Sequence, residues 1–220
     1  VESDGIGSYN AANAAVNADF IARGLNSAPT INNLTCIISP NLVGTHGEGA
    51  GLRFREGIAP VVNNSLIVSS FAANDMSDGD DNFCLRIDNT ETQSLAVNGT
   101  LQLNNVIFAC QENSKLQAFG TFANEQEFAE SQGNQFATIA DGTAVDATAT
   151  NDADLQILGG AQKVYSLPWA TSFVDGAAPV ATTDPSPAAF LGAVDAAADW
   201  TAPWAYGISP DNRAQPLWFE

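Results

Sequence analysis

An all-β fold of short strands stacked coil upon coil is predicted by three observations. A strand–Asn–Asn–strand unit recurs as "PTINNLTCII" at 29–38, "PVVNNSLIVSSF" at 60–71 and "LQLNNVIFAC" at 101–110. A second unit recurs as "GLRFREG" at 51–57 and "CLRIDNT" at 84–90. The strands are rich in Val, Ile, Leu and Phe and are separated by Asn and Gly corners, as in a solenoid whose repeats pack on their neighbours. The parallel β-helix accommodates all three. It also accommodates insertions of variable length, which the unequal steps from Asn32 to Asn63 and from Asn63 to Asn104 require. A β-sandwich is the alternative, because short strands with turn signals suit it as well.

Taken in order, the opening "VESDGIGSYNAANAAVNADFIARGLNSA" is small and polar. Within it "NAANAAVNADFIARGL" is a weak helix, held back by its asparagines. At each NN corner an Asn tolerates the left-handed conformation that a tight bend demands. Its side-chain amide can bond the Asn of the next coil, as in stacked-strand ladders. If the second units stack likewise, Arg53 and Arg86 are neighbours. The NN pattern stops after residue 117. "NEQEFAES" at 124–131 reads as one or two helical turns, and "DGTAVDATATNDAD" as an exposed loop. The chain then divides into coils with inserted loops over 1–158 and an irregular tail over 159–220 that packs on the solenoid. Pro179, Pro185, Pro187, Pro203 and Pro210 break the tail, which also carries Trp169, Trp200, Trp204 and Trp218.

Composition narrows the partners. The chain has 220 residues, 45% hydrophobic, enough to bury a core. Seven basic residues face 25 acidic ones, a formal net charge of -18. Such a surface repels nucleic acid and anionic membranes, and no apolar run is long enough to span a bilayer. The expectation is no nucleic-acid partner and no membrane insertion. A surface of Asn, Asp, Thr, Ser, Ala and Gly with almost no Lys suits a secreted or cell-surface protein. The start has neither an initiator Met nor a basic leader, and reads as a processed or truncated product.

Residues able to carry chemistry are few, and none is assigned a catalytic role. His46, the single histidine, sits in "GTHGEGAG", and any triad or His-based metal site would have to use it. Its glycine flanks read as an exposed loop. Asp75, Asp78, Asp80 and Asp81 gather hard oxygens in the Gly-containing "NDMSDGDDN" and are the candidate Ca²⁺ ligands. The competing reading is a solvated acidic loop. Cys84 and Cys110 stand near one coil apart and are the candidate disulfide, which an oxidising exterior allows. Two buried thiols are the alternative, and Cys36 is left over. Arg53 and Arg86 form a possible polar face, able to grip a carboxylate or simply to pair with Glu56 and Asp88. Trp200 and Trp204 are read as a packing lid, each indole covering apolar surface while its N–H finds an acceptor. An exposed sugar platform is the other reading.

The order "DGIGSYN", "PTINNLTCI", "GLRFREGIAPVVNNSLIV", "CLRID", "LNNVIFACQ" and "FLGAVDAAADWTAPWAYGI" resembles the C-terminal half of a broad group of secreted bacterial β-helix proteins of unassigned activity. The tail carries the resemblance through Phe190, Gly192, Ala193, Asp199, Trp200, Thr201 and Trp204. It departs with "TAPW", where a Gly usually precedes the second Trp. The resemblance implies a right-handed helix entered in mid-solenoid, with an open N-terminal end whose unpaired backbone needs cover. The expected function is therefore structural: a secreted or surface protein that binds another chain, or further copies of itself, at that end. A polysaccharide-active lyase or hydrolase of β-helix type is one alternative, and a calcium- or ligand-binding module another.

Overall fold

Two wholly parallel sheets face each other, and the chain passes back and forth between them. The structure, a computed structural model, describes residues 2–7, 9–38, 50–69, 83–109, 112–136 and 192–193. Their order is β1 (Glu2–Asp4), α1 (Ala14–Ala22), β2 (Thr30–Asn32), β3 (Thr35–Ile38), β4 (Ala50–Arg55), β5 (Val61–Ser69), β6 (Phe83–Ile87), α2 (Thr90–Val97), β7 (Gln102–Ala109), β8 (Glu112–Ser114), α3 (Glu125–Ser131) and β9 (Gln135–Phe136). The first sheet runs β1-β4-β6-β8. The second runs β2-β5-β7-β9, with β3 also paired to β5. Every pairing between these strands is parallel. That departs from the antiparallel Greek keys of the sandwich alternative.

The repeats predicted from sequence are the rungs of these sheets. Asn32 pairs in register with Asn63, and Asn63 with Asn104. Leu52, Arg53 and Phe54 pair with Leu85, Arg86 and Ile87. At the corners the second asparagine of each pair takes the left-handed conformation: φ is 56° at Asn33, 49° at Asn64 and 54° at Asn105. The amides form ladders. Asn63 Nδ2 donates to Asn32 Oδ1 and Asn104 Nδ2 to Asn63 Oδ1, both at 2.9 Å. Behind them Asn105 Nδ2 donates to Asn64 Oδ1 at 3.1 Å. The next coil lacks the NN pair and uses Asn134 instead. Its buried amide accepts from Val106 N and donates to Leu103 O, both at 2.8 Å, closing the corner groups of β7. Buried backbone groups seldom stay unpaired, and one side chain here does the work of a missing rung.

Between the sheets lies a core of Leu52, Phe54, Ile58, Val62, Ile67, Leu85, Ile87, Leu103, Val106, Phe108 and Phe128, all nearly inaccessible. Like side chains stack on like along the coils. Phe108 lies over Phe136 with ring centroids 4.7 Å apart. Backbones of neighbouring layers are drawn very close where the sequence supplies "DGIG". A Cβ on Gly5 would fall 2.0 Å from Ile58 N and 2.1 Å from the Gly57 carbonyl carbon, so only glycine fits there.

The helices replace corners. α1 forms despite its asparagines because they are used: Asn13 caps its N-terminus through Val16 N, and buried Asn17 bonds the Asn10 backbone and Glu91 Oε1. α3 covers most of the predicted helical turns, capped by Asn124. α2 is not foreseen from sequence. Its composition is polar, and tertiary bonds hold its start: Asn89 Oδ1 accepts from Glu56 N and Thr92 Oγ1 from Gly57 N, both at 2.9 Å.

Candidate functional site

The charged face of the first sheet is built by register. Arg53 in β4 pairs with Arg86 in β6. Leu85 pairs with Ser114, and Lys115 N donates to Leu85 O, so Lys115 follows as the next basic residue of the same column. Asp88, just past β6, bridges the two arginines. Its Oδ2 accepts from Arg53 Nε at 2.9 Å and its Oδ1 from Arg86 Nε at 2.9 Å. Arg55 pairs with Asp4 at 2.6 Å and with Glu56 at 3.3 Å. Arg53, Arg55, Arg86 and Lys115, with Glu56, Asp88, Asn89 and Gln117, surround an open recess of about 340 Å³.

Electrostatics here are dominated by the arginines. Burial pushes the Asp88 carboxyl up, but the hydrogen bonds and charges of Arg86 and Arg53 outweigh it and hold the group below the usual carboxylate range. Glu125 lies beneath the face, fully buried, with Oε2 accepting from Gln117 N at 3.0 Å. Its carboxyl is raised, chiefly by burial, although backbone N–H groups oppose the shift.

The ion-pair reading of Arg53 and Arg86 therefore holds with Asp88, while Glu56 goes to Arg55. Sequence reasoning missed Lys115 and Gln117. The signal was "ENSKL" at 112–116, a short polar strand without the apolar run that marks the other rungs.

A second concavity lies between α1 and α2. It is a groove of about 720 Å³ lined by Ala14, Ala18, Ile21 and Leu95, with Tyr9 and Glu91 at one side. Tyr9 donates to Glu91 Oε2 at 3.2 Å, and its hydroxyl is held above its ordinary value by burial and then by Glu91.

The remaining sequence candidates divide by location. Cys84 is disulfide-bonded and Cys36 carries a free thiol, raised by burial and so a poor nucleophile. Cys110 lies outside the described residues, as do His46, the calcium candidates Asp75, Asp78, Asp80 and Asp81, and the lid candidates Trp200 and Trp204. Among the described residues no group of three or more His, Cys, Asp or Glu is placed to hold a metal ion. No helix among them is long and apolar enough to cross a membrane.

Two tail residues are described, and both touch the second sheet. Gly192 N donates to Asn64 O and Ala193 N to Thr35 Oγ1, each at 2.8 Å. Gly192 has φ 77°, and a Cβ there would meet Thr35 Oγ1 at 2.6 Å and Leu66 Cβ at 3.6 Å. Leu66 is fully buried, outside the intersheet core cluster, and paired in register with the equally buried Ile107.

Comparison with protein-family models, with curated proteins and with solved structures returns no match.

Proposed function

We propose that the chain is a segment of a right-handed parallel β-helix of the secreted or surface-displayed bacterial kind that its tail resembles, acting as an assembly module. The layer of β1 and β2 takes a strand from another polypeptide. One observation carries this reading. β1 and β2, the first strands of the two sheets, lie at the same end of the stack, and each pairs on one side only among the described residues. An edge of this kind is a template for strand addition. Backbone direction supports it. Pro29 O accepts from Val61 N and Asn33 N donates to Asn63 O, so odd residues of β2 face β5 and Thr30 and Asn32 face outward. The asparagine ladder points the same way. Each rung donates to the one before it, and Asn32 stands at the outer end of the series. A coil carrying an amide carbonyl at the matching position extends it.

The test is the native mass of the chain by light scattering, beside Thr30→Pro. Proline removes the outward donor and is tolerated on an edge strand. The expected result is an oligomer, or a stoichiometric second chain, reduced to monomer by the substitution with unchanged circular dichroism. A wild-type chain that is monomeric at all concentrations and isolated without a second chain would refute the reading.

A further inference from the structure

The exposed end of α2 carries a signature that the assembly reading does not involve. Asn-X-Ser/Thr, with X any residue but proline, is the acceptor sequence for N-linked sugar on surface loops. It occurs three times in the chain, at Asn33-Leu34-Thr35, Asn63-Asn64-Ser65 and Asn98-Gly99-Thr100. The fold separates the three. Asn63 is 4% exposed, and its amide nitrogen donates to Asn32 in the ladder. Ser65 is buried as well, and its hydroxyl donates to the Asn63 carbonyl. Asn33 sits at a left-handed corner, and Thr35 Oγ1 accepts from Ala193 N. Thr35 lies in β3 and Ser65 in β5, where strand pairing keeps the chain extended. Asn98, Gly99 and Thr100 are all exposed, in the turn between α2 and β7.

Local geometry at Asn98 suits sugar transfer. Its Oδ1 accepts from Thr100 N at 3.0 Å and from Thr100 Oγ1 at 2.5 Å. This is an Asx turn, in which the side-chain carbonyl closes on the backbone two residues on. A backbone N–H only donates, so the atom facing it is the oxygen. Nδ2 is then left without a partner among the described residues. Two donors on Oδ1 stabilise the charge that gathers there as Nδ2 gives up a proton. Gly99 turns the chain at φ 79°, and a Cβ there would meet nothing within 4 Å, so the ground beside Asn98 is open. The competing reaction of an Asn-Gly step is cyclisation, in which Gly99 N attacks the Asn98 amide carbon and ammonia leaves. That nitrogen is engaged, since Gly99 N donates to Ala96 O at 3.1 Å.

We propose that Asn98 is an N-glycosylation site, the one of the three sequences at which this fold accepts a sugar. The co-reactant is a sugar activated as a diphosphate ester at its anomeric carbon, brought by a transferase. Asn98 Nδ2 bonds to the anomeric carbon, the bond from that carbon to the diphosphate oxygen breaks, and the diphosphate leaves with the bonding pair. One Nδ2 proton goes to a base of the transferase. Neither β1 nor β2 takes part, so a monomeric chain would refute strand addition and leave this site untouched.

Trypsin separates the three sequences. Cleavage after Arg23, Arg53, Arg55, Arg86 and Lys115 puts Asn33 on peptide 24–53, Asn63 on 56–86 and Asn98 on 87–115. The full chain, purified from its native source, is reduced, digested and analysed by mass spectrometry with fragmentation. The expected result is sugar mass on peptide 87–115, located to Asn98, with the other two peptides at their sequence masses. Asn98→Gln and Thr100→Val, made in the same source and checked for unchanged circular dichroism, are each expected to abolish the modification, and Thr100→Ser to keep it. The proposal is overturned if peptide 87–115 has its sequence mass or gains only the mass of a deamidated residue, if sugar is found at Asn33 or Asn63, or if Thr100→Val keeps the modification.

Discussion

At the scale of single residues, asparagine does two separable jobs in this chain. Asn64 sits at φ 49° and its Oδ1 accepts from Asn105 in a fully buried setting. Asn64→Gly keeps the backbone freedom and loses the bond, a cost of about 1–2 kcal/mol. Asn64→Ala loses the bond and also places a non-glycine residue in the left-handed region, about 1 kcal/mol more. Denaturant unfolding of both variants checks this, and equal midpoints would show that backbone strain at the corner is negligible. Part-buried Asp88 and buried Glu125 make a second prediction, because they respond to pH in opposite directions. Asp88 is depressed in the fold, so its contribution is present above the ordinary carboxylate range and is lost as pH falls through its lowered value. Glu125 is raised, so its contribution is present at acid pH and is lost as pH rises through its elevated value. Asp88→Asn is expected to cost about 1.5 kcal/mol at neutral pH, the lower end for hydrogen bonds to a charged group, and to flatten the acid limb of the stability profile. Glu125→Gln is expected to remove the decline on the rising side. Unchanged limbs in either variant would contradict the assignment.

At the scale of elements, the strands were legible in the sequence and the corners only in part. The NN units mark β2 with β3, β5 and β7, because a residue that must bend left-handed and also bond its stacked copy leaves a repeated two-letter trace. The "LR" units mark β4 and β6 for a similar reason, since stacked leucines fill the core while the arginines share Asp88. β8 and β9 leave no such trace. They are short, and their coil closes through the Asn134 side chain rather than through a repeated corner. α2 escaped because bonds from its N-terminal residues to Glu56 and Gly57 fix it in place of any amphipathic pattern. The column was legible as far as Arg53 and Arg86. Its third member needed the register of β8. The tail reading has one described foothold, Gly192 against Thr35, Asn64 and Leu66. Gly192→Ala forces a Cβ against Thr35 Oγ1 at a left-handed backbone, so a loss of about 1–3 kcal/mol is expected, together with a red-shifted tryptophan emission, since all four tryptophans lie in the tail. Wild-type stability and emission would show that the tail does not depend on this contact.

At the scale of the whole molecule, stacking makes stability and assembly one problem. In stacked parallel sheets each strand is held by its neighbours on either side, so a layer with one neighbour is the weakest part of the stack. Among the described residues two layers have one neighbour, β1 with β2 and β8 with β9, and the first of them holds the strands proposed to receive a partner. Both sheets are parallel throughout the described residues, so an added strand enters in the direction the stack already follows. The left-handed asparagines were anticipated from the repeats and an open end was expected from the resemblance, whereas which strands lie at the edge of the described sheets needed the strand order to become visible. The most direct measurement is hydrogen–deuterium exchange of the backbone amides at residues 2–5 and 30–32 over a range of protein concentrations, for the wild type and for Thr30→Pro. In the assembled form, outward amides such as those of Asp4, Thr30 and Asn32 become protected as concentration rises, and Thr30→Pro abolishes that rise while amides in β5 and β7 stay protected. Fast exchange at Asp4, Thr30 and Asn32 that does not depend on concentration would contradict strand addition at this end.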